Sequence, residues 1–251
     1  METQRIMFLD VPLDIVTPEE LPDTISRLLS TARKTEKPQN IVLLSLADLL
    51  RARRDGEYRK YVLNAGLVIP ISKSIVSGVK FLAKKQIIRY MPFHFVISLL
   101  SLLERQEHSI YLLGGKKKVL RITERNIHMT FPRLKIVGRH EGGMKKHEEP
   151  PVIEAIRKAS PSLLLTGKGI RRKELWIAGN SASLGTGLRL WCSDLFDVFA
   201  ENKKRPSDAI FDKGLENIIF CMRNPFRILR IFSYLRYKLL LLLHKIFKKA
   251  D

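Results

Sequence analysis

Short apolar runs alternate with longer amphipathic stretches along most of the chain. Asn40 to Leu44 (NIVLL), Ala65 to Ile71 (AGLVIPI), Ser109 to Leu113 (SIYLL), Leu134 to Val137, Ser162 to Thr166 and Leu188 to Cys192 have the length and β-branched content of buried strands. Between them, apolar residues recur at helical spacing over Ala47–Leu63, Val76–Lys84, Phe93–Glu107, Lys118–Met129 and Pro150–Lys158. Pro92 suits the first turn of the third of these helices. Strands alternating with helices through short connections predict an α/β fold, Rossmann-like, with a mostly parallel sheet and helices on both faces. No repeat or low-complexity tract interrupts the pattern. In such sheets, ligands bind outside the C-terminal strand ends.

Composition sharpens this picture. The chain has 251 residues, and its 45% hydrophobic content suffices for a full core and excludes global disorder. Two cysteines, Cys192 and Cys221, cannot build a disulfide framework or a four-ligand zinc site, which points to a reducing, cytosolic setting. The acidic N-terminus lacks the basic and apolar regions of a secretory signal. No stretch reaches the uncharged apolar length of a spanning helix: Leu239–Leu243 is bracketed by Lys238 and Lys245. The chain is therefore expected to stay inside the cell without crossing the membrane.

Charge is the outlier, with 45 Lys+Arg against 25 Asp+Glu and a net charge of +20. A polyanionic partner is implied, either nucleic acid or an anionic membrane surface. No helix-turn-helix, zinc-finger, RNP or KH signature is present, and the basic C-terminal stretch is interleaved with Phe, Ile, Leu and Tyr rather than polar residues. Nucleic acid is thus not expected. Residues 225–249 read as a basic amphipathic helix opened by Pro225. On a helix, Phe226, Leu229, Phe232 and Ser233 share one side, and Arg227, Arg230 and Tyr234 another. Such a helix lies in a bilayer interface, aided by anionic lipid, although a C-terminal helix packed on the domain is the plainer alternative. The cations make full burial of this segment unfavourable.

Two strand-end glycine sites are candidates for a phosphate-bearing ligand. Gly114-Gly115 precedes three lysines at a helix start, which is either an anion site or a tight turn before a solvated basic face. Gly167-Lys168-Gly169 leads through Arg171, Arg172 and Lys173 to Glu174. These cations either face a diphosphate, with Glu174 accepting from sugar hydroxyls, or form a basic surface turn. Neither site is a Walker loop or a dinucleotide fingerprint. The six scattered histidines suggest no metal site and no cofactor is implied. Ser181 and Ser183 lack a nucleophile elbow, and Cys192 reads as core.

Taken in order, these stretches resemble the WecG/TagA/CpsF glycosyltransferases over roughly residues 40 to 230. Phe196-Asp197-Val198-Phe199-Ala200, Lys204-Arg205-Pro206, Gly214-Leu215-Glu216 and Asn224-Pro225-Phe226-Arg227 fall on the family's F-D-x-x-A-G, K-R-A-P, G-L-E-W and E-P-x-R. Gly167-Lys168-Gly169 with Glu174 and Trp176-Ile177 falls on G-x-G-x-P-K-Q-E-x-W-I. Leu112-Leu113-Gly114-Gly115 falls on L-L-G-G, and Phe131 to Gly138 with Gly142 on Y-P-x-L-x-I-V-G-x-x-x-G. The resemblance implies an inverting transfer of an N-acetylhexosamine from a UDP-sugar to a polyprenyl-diphosphate-linked acceptor in cell-envelope polysaccharide synthesis. It places the enzyme peripherally on the cytoplasmic face of the inner membrane, and allows a homo-oligomer. The implied layout is an N-terminal segment 1–39, a glycosyltransferase-like domain 40–221 and a basic membrane-associating tail 222–251.

Site residues follow from the resemblance in the same way. Gly114, Gly115, Gly167, Gly169, Lys173, Glu174 and Arg205 would hold the nucleotide-sugar, and Arg223, Arg227, Arg230, Arg236 and Lys238 the lipid diphosphate or membrane. Several positions depart from the family pattern. Its T-x-N falls on Leu43 and Ser45, and its P-D-G, whose Asp would be the base, on Pro70-Ile71-Ser72. The proline and glutamine of P-K-Q-E fall on Arg171 and Lys173, the glycine after F-D-x-x-A on Glu201, and the tryptophan of G-L-E-W on Asn217. An inverting transfer uses a general base at the acceptor hydroxyl, and isoleucine is none. Asp48 and Glu174 are the carboxylates that could substitute. The alternative is a catalytically degraded relative that binds a ligand or scaffolds a working transferase at the membrane.

Overall fold

The computed structural model describes residues 4–214 and 230–247. Its centre is a six-stranded sheet in the order β4-β3-β8-β7-β5-β6, every neighbouring pair parallel. The strands are β3 (Gln39–Leu44), β4 (Leu67–Pro70), β5 (Ser109–Leu113), β6 (Lys135–His140), β7 (Leu163–Thr166) and β8 (Leu188–Trp191). Register aligns the ends, with Leu44 opposite Pro70, Leu113 opposite Thr166 and Thr166 opposite Trp191. The α/β class, the parallel sheet and its six strands are those the apolar runs predict.

Side chains alternate across the sheet as the two-residue period requires. Ile41, Leu67, Ile69, Ile110, Leu112, Leu163, Leu165, Leu188 and Leu190 share one core with α1 (Leu21–Thr35), α5 (Pro92–Arg105), α6 (Lys117–Thr130) and α9 (Leu195–Phe199). The opposite face is covered by α2 (Leu46–Ala52), α3 (Gly56–Leu63), α4 (Lys73–Ala83), α7 (Glu149–Ala159) and α8 (Glu174–Gly179). The direction in which successive strands are added across the sheet reverses. From β3 the chain winds outward to β4 through α2 and α3, whereas from β5 it winds the other way to β6 through α6. The strand ends of β8 and β7 lie between these two departures, where a doubly wound sheet leaves its ligand crevice.

The helix predicted over 47–63 is two helices. Asp55 accepts from Glu57 N and Tyr58 N at 3.1 Å each and caps α3, so the Asp-Gly pair ends one helix and starts the next. The first 38 residues carry elements that the strand search does not find. β1 (Gln4–Phe8) and β2 (Val11–Ile15) form an antiparallel hairpin whose two turn residues, Leu9 and Asp10, have φ of 49° and 63°. This is the backbone of a primed turn without its usual glycine. Arg53 secures it by donating to Leu9 O and Asp10 Oδ2. The hairpin's Asp14 is buried: it takes both guanidinium branches of Arg5 and, at 2.6 Å, the backbone N–H of Val68 on the outer strand β4.

The C-terminal helix, here α11 following α10 (Asp208–Lys213), runs over Arg230–Phe247. It is neither free nor fully buried. Tyr237 is 1% exposed and donates to Ser74 O at 2.6 Å, and Leu241 is also buried. Gly78 makes the notch that admits Tyr237, since a Cβ there would lie 1.9 Å from the tyrosine hydroxyl. Leu240 packs partly against the same core, whereas Phe232, Leu235, Leu239, Leu242 and Ile246 face outward. Among the described residues no helix is long and apolar enough to cross a membrane.

Candidate active site

The loops after β5, β6 and β7 close on one another at the C-terminal edge. Gly115 N donates to Lys168 O, Gly142 N to Gly115 O, Gly143 N to Gly169 O and Gly167 N to Leu113 O, all within 2.6–2.8 Å. Gly114 has φ 119°, and a Cβ on it would sit 2.8 Å from Gly167 O. A Cβ on Gly167 would meet the Phe196 ring at 2.7 Å. The structure thus brings Gly114, Gly115, Gly167 and Gly169 together; Gly114 and Gly169 pack backbone on backbone, and Gly167 leaves room for the Phe196 ring. The first turn of α6 has no side-chain cap, so its amide donors remain for an anion.

The cations of the 168–173 loop divide. Lys168 pairs with Asp197 at 3.0 Å and reaches Asp194 at 3.8 Å, Arg171 approaches Glu149 at 3.9 Å, and Arg172 pairs with Glu57. These three side chains tie the loop to α9, α7 and α3. Lys173, with φ 53° and ψ −124°, carries its charge beside Asp48 and Glu174. Its strained backbone marks the turn into α8.

Asp48 and Glu174 occupy one polar cluster at the end of β3. Ser45 caps α2 and holds Asp48 through its backbone N–H and its hydroxyl, at 3.1 and 2.5 Å. Glu174 is 5% exposed and takes Arg51 at 2.5 Å. Arg51 also bonds Asp55 and stacks on Tyr58, 4.1 Å from the ring centre. Burial pushes the Asp48 carboxyl above the usual range, against hydrogen bonds from Ser45 and the charges of Arg51 and Lys173. Burial pushes Glu174 up as well; its own backbone N–H and Arg51 oppose this, and the charge of Asp48 adds to it. Two buried polar atoms here lack hydrogen-bond partners: Glu174 Oε2 and the Tyr61 hydroxyl.

A second cluster surrounds the end of β4. Ile71 is in place at the strand end, with its N–H on Leu44 O at 3.0 Å. Its carbonyl accepts from Arg89 at 3.0 Å, and Arg89 lies 3.6 Å over the Phe211 ring. Arg205 contacts His94 and lies over Phe93, whose ring is 5.3 Å from that of Phe199. Arg205 is exposed beside His94 and Phe93 at the start of α5. Arg223 and Arg227 lie outside the described residues, as do Cys221 and the Leu215–Glu216 and Asn224-to-Arg227 motif positions. Arg236 and Lys238 are exposed on α11.

Sequence reasoning missed Arg51, Arg89 and Arg189. Arg51 was findable, three residues after Asp48 and four before Asp55, spacings at which side chains of opposite charge meet. Arg189 interrupts an apolar strand; it is 1% exposed, donates to Ser181 and Gly185 carbonyls at 2.9 and 2.6 Å, and burial lowers its pKa to about 10. Nothing in the pattern around Arg89 singles it out. Among the described residues no three His, Cys, Asp or Glu are grouped to hold a metal. Cys192 is buried with its thiol on Thr166 O, as its strand position predicts. An open cleft of about 770 Å³ between Arg33, Lys37, Ser181 and Gly185 lies at the opposite, N-terminal edge of the sheet and contains none of the predicted site residues.

Two curated relatives align with most of the chain. A protein of Bacillus spizizenii named N-acetylglucosaminyldiphosphoundecaprenol N-acetyl-β-D-mannosaminyltransferase is 24% identical over 245 residues, covering 98% of this chain and 93% of its own. A protein of the same name from Bacillus subtilis is 23% identical over 199 residues, covering 79% and 77%. With the glycosyltransferase family pattern matched over residues 6–251, on a parallel sheet whose glycine loops stand at its carboxyl edge, the chain belongs to the WecG/TagA/CpsF glycosyl transferase family.

Proposed function

We propose that this chain transfers an N-acetylhexosamine from a UDP-sugar to a polyprenyl-diphosphate-linked acceptor, with inversion, at the cytoplasmic face of the inner membrane. The observation that carries the reading is the family match across nearly the whole chain, on a sheet whose carboxyl edge offers an uncapped α6 start and nearby cations. The names of the two Bacillus relatives make N-acetylmannosamine and an N-acetylglucosaminyl-diphospholipid the first donor sugar and acceptor to test. In this reading Gly114, Gly115, Gly167 and Gly169 shape the donor pocket. Lys173, Glu174 and Arg205 contact the nucleotide-sugar, and Arg205 with Arg227 and Arg230 meets the charge developing on the diphosphate.

The outward stripe of α11, with Phe81 beside it under Lys245, fits an anionic lipid surface. Truncation after residue 222 is expected to abolish flotation with anionic liposomes. It also removes Tyr237 and Leu241 from the core, so the truncated chain unfolds at lower urea. The decisive assay incubates full-length protein with UDP-N-acetylmannosamine and a short-chain lipid acceptor, following product and, by calorimetry, UDP binding. Arg205→Ala is expected to weaken UDP binding about tenfold. One observation favours a second reading, a degraded relative: Ile71 stands where the family pattern has its carboxylate. UDP binding without transfer, at any pH, would select it.

A further inference from the structure

The end of β4 lacks a carboxylate, and the strand end beside it has one. The Ile71 N–H bond to Leu44 O makes residues 45 and 71 neighbours as their chains leave the sheet. Ser45 turns Asp48 back toward that edge, with two hydrogen bonds to Oδ2, and accepts from Asp48 N at 3.2 Å in return. Asp48 stays partly exposed. The groups around it are Arg51 on its own helix, Tyr58 and Tyr61 from α3, and Lys173 and Glu174 from the connection after β7. Asp55 reaches the same Arg51. Behind Asp48, Glu174 Oε2 is buried with no hydrogen-bond partner and its other oxygen held by Arg51. A buried bare carboxylate oxygen is an expensive arrangement, and a polar ligand or a transferred proton would satisfy it.

We infer that Asp48, fixed by Ser45 at the end of β3, takes the proton of the acceptor hydroxyl in place of the carboxylate absent at position 71, with the Arg51–Glu174 pair setting the charge around it. This rests on the transferase reading above. As the acceptor O–H breaks, its electron pair forms the bond to the anomeric carbon of the donor and its proton passes to Asp48. The bond from that carbon to the diphosphate breaks, and its electron pair leaves with UDP. The raised proton affinity of the Asp48 carboxyl suits a base, because the proton-transfer driving force grows with it.

The test compares full-length wild type with Asp48→Asn and Asp48→Glu in transfer rate against pH, UDP binding and thermal melting. The amide oxygen of Asn can still accept from the Ser45 N–H, and Ser45 Oγ still accepts from the residue-48 N–H, so the cap survives. Transfer by Asp48→Asn is expected to fall about 10²- to 10⁴-fold, with the acidic limb of the pH profile lost and UDP affinity unchanged. Asp48→Glu keeps the limb and part of the rate. If Asp48→Asn melts early, Ser45→Ala decides, since it leaves the carboxylate but removes the hydroxyl bond, and should move the acidic limb. A wild-type rate and pH profile in Asp48→Asn, or in Ser45→Ala where that variant decides, overturns the inference and leaves the transferase reading intact. Wild-type protein that binds UDP without transferring overturns the inference while the donor site stands. Wild-type protein that does neither overturns both.

Discussion

The two halves of the sheet's carboxyl edge are built from different materials. Over β5 and β7 the chain is almost pure backbone: four glycine-bearing contacts interlock, and a methyl group at 114 would collide with a peptide. Over β3 and β4 the same edge carries Asp48, Arg51, Lys173, Glu174, Ile71 and Arg89, with two buried polar atoms left without partners. The glycine side is closed by backbone contacts with the Lys168–Asp197 pair at its surface, whereas the other side buries Glu174 beside Arg51. A glycine-rich loop therefore does not mark the chemistry by itself. Here it locks the loops after β5, β6 and β7 to one another.

The largest expected effect breaks the stiff half. Gly114→Ala puts a Cβ at positive φ against Gly167 O and should cost about 3–5 kcal/mol, read from urea unfolding. Next, Arg51→Ala leaves Glu174 buried and unpaired and should cost about 2–3 kcal/mol at neutral pH. The sign with pH is fixed. Because the folded Glu174 carboxyl binds its proton more tightly than the unfolded one, its contribution to stability falls as pH rises above about 4. The Arg51→Ala deficit should therefore shrink on acidification toward pH 4, and a pH-independent deficit would reject the pairing. In the charged half, Ile71→Asp on an Asp48→Asn background should recover part of the lost transfer, at most about tenfold, because Leu43 and Ser45 also differ from the family pattern. The smallest effect is a control. Gly143→Ala also carries positive φ but meets nothing within 4 Å, and should cost only about 1 kcal/mol.

The sheet was legible because β4, β5 and β7 are buried almost throughout and so are written as unbroken apolar runs; SIYLL at 109–113 is read to the residue. The hairpin was not, since Pro12 and Asp14 interrupt β2 and its turn lacks glycine, while the partners that make Asp14 tolerable, Arg5 and Val68 N, are distant or backbone. Pairings across elements were likewise invisible. Lys168, Arg171 and Arg172 read as a free basic loop, yet each faces an acid from a different helix. The C-terminal segment shows its amphipathic character, but only the Gly78 notch tells which stripe is used for docking.

The bond from Val68 N to Asp14 has a consequence for self-association. β4 is an outermost strand, and an outermost strand is a template on which a second chain can add its own. Here the hairpin lies along that border and a carboxylate occupies one of its free amides, while Pro70 has no amide to offer. The other border strand, β6, alternates Lys135, Val137 and Arg139 outward and carries a register shift against β5 at Ile110/Tyr111. Two copies pressed edge to edge would find one border occupied and the other charged and kinked. Among the described residues, growth of the sheet into fibres is therefore disfavoured at both borders.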